Sequence, residues 1–561
     1  MKKLRWQLII IFVTGIILAI LLLTQQGGVT PIAPKPVEGG SYTEALVGSY
    51  QRFNPLLDQF NQADRDIDRI LFSSLVKFDN RGLPYADLAS QWGMSEDGTI
   101  YNFALKPDLK WSDGEPLTTR DVVFTIELMR NGGDFIPTDV QEFWKSVEVL
   151  DFTDQDMQFK LPEPFAPFMD YLTFSIVPEH ILGGYDINGV VSHPFNYEPV
   201  GSGPYKLDKV LSENNAVTGA VFIPNENYYG QKPFIQQFII RYFADSASAL
   251  KAYQNGEVQG ISHLTADVLP DALKEANLNV YSGRLPQLSI VYLNLKNPEV
   301  AFFQDEVVRK ALLLGINRQR IIDRIYQGQA IAANGPVFPG NWAYFEETAQ
   351  YSYDPETAKA NLKEAGYVIS GSDTAPRKKD EIELKFTLVY PDDELHKQVA
   401  ENIKKDWAVL NVNVEIKPVS YEELLKDYLE PRSYQAALVD LNLARTTDPD
   451  PYPFWDQVQA TGGQNYSQWD NRMVSEYLEA ARVTTEFSER LRLYRNFQVL
   501  FNKELPSLPL FYPVYTFGVD SKIQGISFGP LYDTSDRYAQ VNQWFLQAQR
   551  STQSDPTSTG K

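Results

Sequence analysis

The sequence predicts an α/β protein built as two lobes, and three observations carry that reading. Its 561 residues exceed what one hydrophobic core usually organises. Residues 382–441 switch repeatedly between strand and helix periodicity. A composition of 43% hydrophobic and 22% charged residues is that of a folded globular chain. Two lobes leave a cleft between them, and 32 Phe, 31 Tyr and 9 Trp can supply both core and cleft lining.

Along the chain, Lys2, Lys3 and Arg5 precede an apolar run over residues 8–23, the charge-then-hydrophobe order of an export segment. As a helix the run rises about 24 Å, slightly short of a span. No A-x-A cleavage pattern follows, which favours a retained anchor over a cleaved signal peptide, and the positive end is expected inside. Gly, Pro and Thr in the stretch up to residue 41 read as a tether. Thr118 and Asp121 form a capping box that opens a helix over 118–130, with Val122, Ile126 and Met129 on one face. Asp354, Pro355 and Gly366 bracket a second helix, with Ala358, Leu362 and Ala365 inward.

The α/β series follows. Ile382, Leu384, Phe386 and Leu388 alternate as a strand, and Leu395, Val399, Ile403 and Trp407 then recur at helical spacing. Val412, Val414 and Ile416 alternate again, a short helix is expected over 421–429, and residues 436–441 form an apolar strand. Crossovers of this kind imply substantial parallel pairing, and ligands of such sheets bind beyond the carboxyl ends of strands. The segment after the last strand, 442–455, is therefore the first place to look for a site. The tail, 551–561, is polar and reads as disordered.

Composition excludes several function classes. A formal charge of −21 without a basic block argues against nucleic acid. The absence of Cys excludes a thiol nucleophile, cysteine-bound zinc, disulfides and a lipid-modified cysteine. His180, His193, His263 and His396 lack metal-helix spacing, so neither a metal nor another cofactor is expected. No G-x-S-x-G elbow, P-loop or zincin motif occurs.

A set of ordered landmarks then identifies a relationship. Phe53-Asn54-Pro55 comes first, followed by Phe78-Asp79, Leu88-Ala89 and Trp92. Tyr101-Asn102-Phe103-Ala104-Leu105 leads into Lys110-Trp111-Ser112-Asp113-Gly114-Glu115-Pro116-Leu117, and Pro199-Val200-Gly201-Ser202-Gly203-Pro204-Tyr205 is a second signature. Asn227-Tyr228-Tyr229-Gly230, Val308-Arg309-Lys310-Ala311-Leu312 and Ala365-Gly366-Tyr367 complete the order. Most of these positions read as scaffold: Trp111 is expected under the Asp113-Gly114 turn, and Gly201 and Gly203 to adopt angles that a β-carbon opposes. In order and spacing the chain resembles, from about Tyr42 to Phe545, the peptide, nickel and oligosaccharide solute-binding proteins of ABC importers, typified by dipeptide- and oligopeptide-binding proteins.

That resemblance implies a two-lobed periplasmic-binding-protein clamp with an additional subdomain in the first lobe, closing on solute by a hinge. It sets lobe one at 42–285 with a return over 513–550, lobe two at 286–512, and crossings near Pro286 and Pro513. It implies an extracytoplasmic, non-catalytic monomer that delivers di- or oligopeptides to a membrane permease and ATPase. In peptide-binding members an acidic residue a few positions before an acidic-Pro pair meets the ligand's amine. Here the pair is Asp448-Pro449 and the corresponding residue is Arg445, a departure that suits a carboxylate or phosphate and leaves Asp440, Asp448 or Asp450 to take an amine. Candidate ligand-binding residues are Tyr50, Phe53, Phe60 and Asn61 from lobe one, with Arg445, Asp448, Trp455, Asn465 and Tyr466 from lobe two. Pairing of Arg445 with Asp448 and core packing of Trp455 are the bland alternatives. An oligosaccharide-binding member, a sensor built on the same clamp, or an exported cleft enzyme such as a glycoside hydrolase stay open as rival functions.

Overall fold

One mixed sheet runs through the molecule, and its longest strand belongs to both halves. A computed structural model describes residues 35–549, apart from 80, 444–446, 528 and 530. The apolar run at 8–23 and the tail at 551–561 lie outside the described residues. Apolar and β-branched residues fill the 14-residue strand Ser507–Asp520 almost without interruption, as expected for a strand covered on both faces. Residues 507–511 pair antiparallel with Gln287–Leu293, and residues 514–520 pair antiparallel with Leu278–Arg284. Between the two ladders Leu285 N–H donates to Pro513 O at 3.1 Å. Pro513 has no N–H to give, so the ladder changes partner at a residue that can only accept.

Each side of this exchange has its own core. One is built from residues 288–512 with Tyr532, the other from residues 42–240 and 515–544. Ser41–Val47 lies in the sheet between Gly260–Ile261 and Gln237–Phe243, parallel to both. A separate four-stranded antiparallel sheet, Ala89–Met94, Ile100–Leu105, Asp156–Lys160 and Glu148–Asp151, carries the helices Thr119–Arg130 and Thr138–Ser146 and forms the added subdomain. The fold is thus a two-lobed α/β clamp.

Local signals translate well where they are chemical. Thr118 and Asp121 make the expected capping box, and Val122, Ile126 and Met129 are buried. Asp354 caps Pro355–Glu364, whose Ala358 and Leu362 face the core. Trp111 is fully buried under its turn, where Gly114 N–H donates to Trp111 O at 3.0 Å.

Three expectations are corrected. The 382–388 strand is not continuous: Ile382–Glu383 joins a small three-stranded sheet with Ile382 exposed, and the main strand is Lys385–Pro391. Helix over 421–429 is only partly regular, because Tyr421–Glu423 runs into a wider π turn, Leu424–Leu429. Gly201 and Gly203 are required by proximity, not by dihedral angle. A β-carbon on Gly201 would meet Leu71 O at 2.0 Å, and one on Gly203 would meet Ile70 O at 2.5 Å. In the remaining series Lys385–Pro391 is parallel to both Asn413–Val419 and Ala436–Asn442, whereas Ala436–Asn442 is antiparallel to Gln287–Leu293.

Candidate functional site between the lobes

The helix Gln62–Leu71 begins where Asn61, in extended conformation, accepts from Ala63 N–H at 3.0 Å and donates to Ser49 O at 2.9 Å. This cap fixes the helix so that Arg65, Asp68 and Arg69 line a cavity of about 650 Å³, within the range of roughly 300–1,000 Å³ typical of small-ligand sites. Arg65 pairs with Asp533 at 3.1 Å and Arg69 with Asp536 at 2.9 Å. Both aspartates lie on the return segment after the long strand. That segment is pinned from behind by Arg537, fully buried, whose guanidinium meets Glu44 at 3.0 Å and Asp66 at 2.8 Å. Burial pushes the Asp66 carboxyl up to about 6 against the opposing pull of Arg537. A buried cation shared by two buried carboxylates orients rather than binds, because none of the three reaches solvent.

The subdomain supplies an apolar wall, Met129, Ile136, Val140 and Trp144, continued by Phe174. Lobe two closes the cavity with Asn442, the last residue of its strand, and Thr447, which is the position beyond a strand's carboxyl end that the sheet rule selects. Asp170 of lobe one also lines the cavity and reaches across. Its Oδ1 accepts from Thr447 N–H, from Thr447 Oγ1–H at 3.0 Å and from Asp448 N–H at 3.2 Å. Burial, then the charge of Asp448, push the Asp170 carboxyl up to about 7, and the bonds from Thr447 and Asp448 only partly offset this.

The candidate residues separate into groups. Phe60 is 86% exposed and lines the cavity. Asn61 caps the adjacent helix. Arg445 lies outside the described residues, in a segment flanked by the lining residues Asn442 and Thr447. Asp448 is buried: Arg490 donates to its Oδ2 and Tyr494 OH to its Oδ1 at 2.9 Å. Asp450 is engaged by Arg482 at 3.1 Å, and Asp440 by Ser289 and His396. Tyr50 is half-buried, donates to Asn196 O at 2.8 Å and packs on Phe53, which is fully buried. Trp455 is buried between Tyr292 and Phe501, Asn465 is buried bonding Asp456 O and Trp469 O, and Tyr466 lies under Arg432. None of these last residues lines the cavity. Their aromatic and amide character served a core and a loop equally well. Asp170 escaped sequence reasoning, since a lone Asp in an apolar stretch carries no local motif, and Asp533 and Asp536 did too, since the capping box they form is a local signal that says nothing of a cavity.

Among the described residues no group of three or more His, Cys, Asp or Glu could hold a metal ion, and no helix is long and apolar enough to cross a membrane.

Residues 84–465 match the model of bacterial extracellular solute-binding proteins, family 5 Middle. The chain is 26% identical over 510 residues to the dipeptide-binding protein of Escherichia coli K12, covering 86% of this chain and 91% of that protein. It is 25% identical over 523 residues to the oligopeptide-binding protein AppA of Bacillus subtilis, covering 92% and 93%. The solved structure of the Bacillus subtilis AppA with a nonapeptide superposes with a TM-score of 0.70 at 23% identity, over 91% of this chain and all of that one. With a family model spanning most of the chain and the cavity placed between two lobes of the same architecture, this chain belongs to the bacterial extracellular solute-binding proteins of family 5.

Proposed function

We propose that the protein captures di- or oligopeptides in the cavity between its lobes and delivers them, without chemical conversion, to an ABC permease and its ATPase. The observation that carries this reading is the cavity itself, whose walls come from both sides of the shared strand Ser507–Asp520. A ligand touching both walls is held better closed than open, so binding and closure are one equilibrium. The names of the similar dipeptide- and oligopeptide-binding proteins support a peptide as that ligand. In this reading lobe one comprises 42–285 and 513–550, lobe two comprises 286–512, and the protein works as a monomer outside the cytoplasmic membrane, held there by its N-terminal segment. Protein purified under native conditions should release intact peptides for mass spectrometry, and peptide added back should bind with a Kd of about micromolar or tighter, roughly −8 kcal/mol. Hydrolysis of the peptide, or release of a sugar in its place, would overturn the proposal.

A further inference from the structure

The cavity has two kinds of wall. Much of its charged lining is already engaged within the protein: Arg65 holds Asp533, Arg69 holds Asp536, Lys77 holds Asp87 at 2.9 Å, and Asp79 holds Arg81 at 2.7 Å. A ligand charge must share or displace such a pair, so little of its attraction is left as net affinity.

The apolar lining carries no such commitment. Val140 and Trp144 lie four apart on the helix Thr138–Ser146, which sets both on one face, and both line the cavity. Trp144 meets Phe174 edge-on with ring centres 5.6 Å apart, and Tyr171 packs on Phe143 at 4.0 Å. This packing fixes the rings of Phe174 and Tyr171 before a ligand arrives, and both, like Val140, stay half-buried along the cavity. Phe60 joins the lining from the turn ahead of Gln62–Leu71. Backbone on both sides of it is pinned, because Asn61 N–H donates to Asp58 O at 3.0 Å and Arg65 donates to Gln59 O at 2.8 Å. A ring held out at 86% exposure in a cavity still has most of its apolar surface to remove from water.

Resting on the peptide reading above, we infer that the preferred ligands are peptides carrying bulky apolar side chains, Leu or Phe in kind, seated against Phe60 and the subdomain wall. Selection then follows the apolar area that a side chain buries, and its charge is secondary.

Calorimetry with three tetrapeptides of matched length, Ala-Leu-Phe-Ala, Ala-Ala-Ala-Ala and Ala-Ser-Gln-Ala, tests this. The Leu-Phe peptide should bind at least about tenfold more tightly than either of the others. Its advantage should persist as salt rises and come with a more negative heat-capacity change. Phe60→Ala, at an exposed position, should narrow the gap by about three- to tenfold without moving the unfolding midpoint. Phe60→Leu, which keeps an apolar side chain, should retain most of the gap. Equal binding of all three, a preference for the Ser-Gln peptide, or an unchanged gap in Phe60→Ala would overturn the apolar inference and leave the peptide reading standing. Failure of all three to bind would overturn the peptide reading itself.

Discussion

Asp448 shows how one residue's surroundings decide its role. Its place beyond a strand end made it a natural ligand contact, yet its carboxylate is held by Arg490 and Tyr494, and both Asp448 and Arg490 are more than nine-tenths buried. Burial lowers the Arg490 guanidinium's affinity for its proton, but the attraction of Asp448 and Tyr494 outweighs it and raises that affinity overall. Asp448→Asn would leave a buried cation without its counter-charge, a change that costs about 3–5 kcal/mol. Urea unfolding should register that loss in lobe two. A ligand contact would instead weaken peptide binding and leave the unfolding midpoint in place. A charged residue beyond a strand end is legible as important, but whether it faces ligand or an internal partner depends on residues such as Arg490, some 40 positions away, that no local pattern connects to it.

At the scale of elements, signals that are chemical and local survived into the structure, and signals that depend on distant neighbours did not. The Thr118–Asp121 box and the Asp354 cap are satisfied by atoms within four residues. The break before Lys385 was hidden because Ile382 fits the same alternation, while its actual partner strand, Arg377–Lys379, is too short and polar to signal itself. Gly201 and Gly203 fall between these cases. The sequence marks them as glycines that matter, but the reason is the end of Gln62–Leu71, where Gly203 N–H donates to Leu71 O at 2.7 Å and leaves no room for a methyl group. Gly203→Ala must push backbone against backbone and is expected to cost at least about 1–3 kcal/mol. Gly93→Ala, where an added β-carbon meets nothing within 4 Å, should stay within about 0.5 kcal/mol of the parent. Thermal unfolding of the two variants side by side checks this, and equal midpoints would show that the helix end yields.

For the whole molecule, Asp170 on one side of the cavity bonds Thr447 and Asp448 on the other, and in the proposed capture mechanism, where closure makes this contact and opening breaks it, the clamp is expected to respond to pH. In this arrangement Asp170 is buried beside the Asp448 carboxylate, with Arg490 beyond it, and among the described residues its charge also acts on the tyrosines Tyr171 and Tyr532, both ionising far above neutral pH. Opening hydrates Asp170 and returns its carboxyl towards the ordinary acidic range. The closed form therefore binds a proton that the open form releases, between that range and about 7. Closure is favoured as pH falls through this window. It loses that advantage as pH rises past about 7, and below the ordinary carboxylate range both forms are protonated and no further change follows. Small-angle scattering of the ligand-free protein should show a radius of gyration that decreases on acidification from about pH 8 to about pH 5. Asp170→Asn, neutral throughout and still able to accept through its amide oxygen, should be flat and remain at the compact end. A radius that grows on acidification, or an Asp170→Asn protein that keeps the full dependence, would place the pH response elsewhere. Because the same contact closes the cavity, peptide affinity should follow the same direction, rising towards acid pH in the parent and losing that trend in Asp170→Asn.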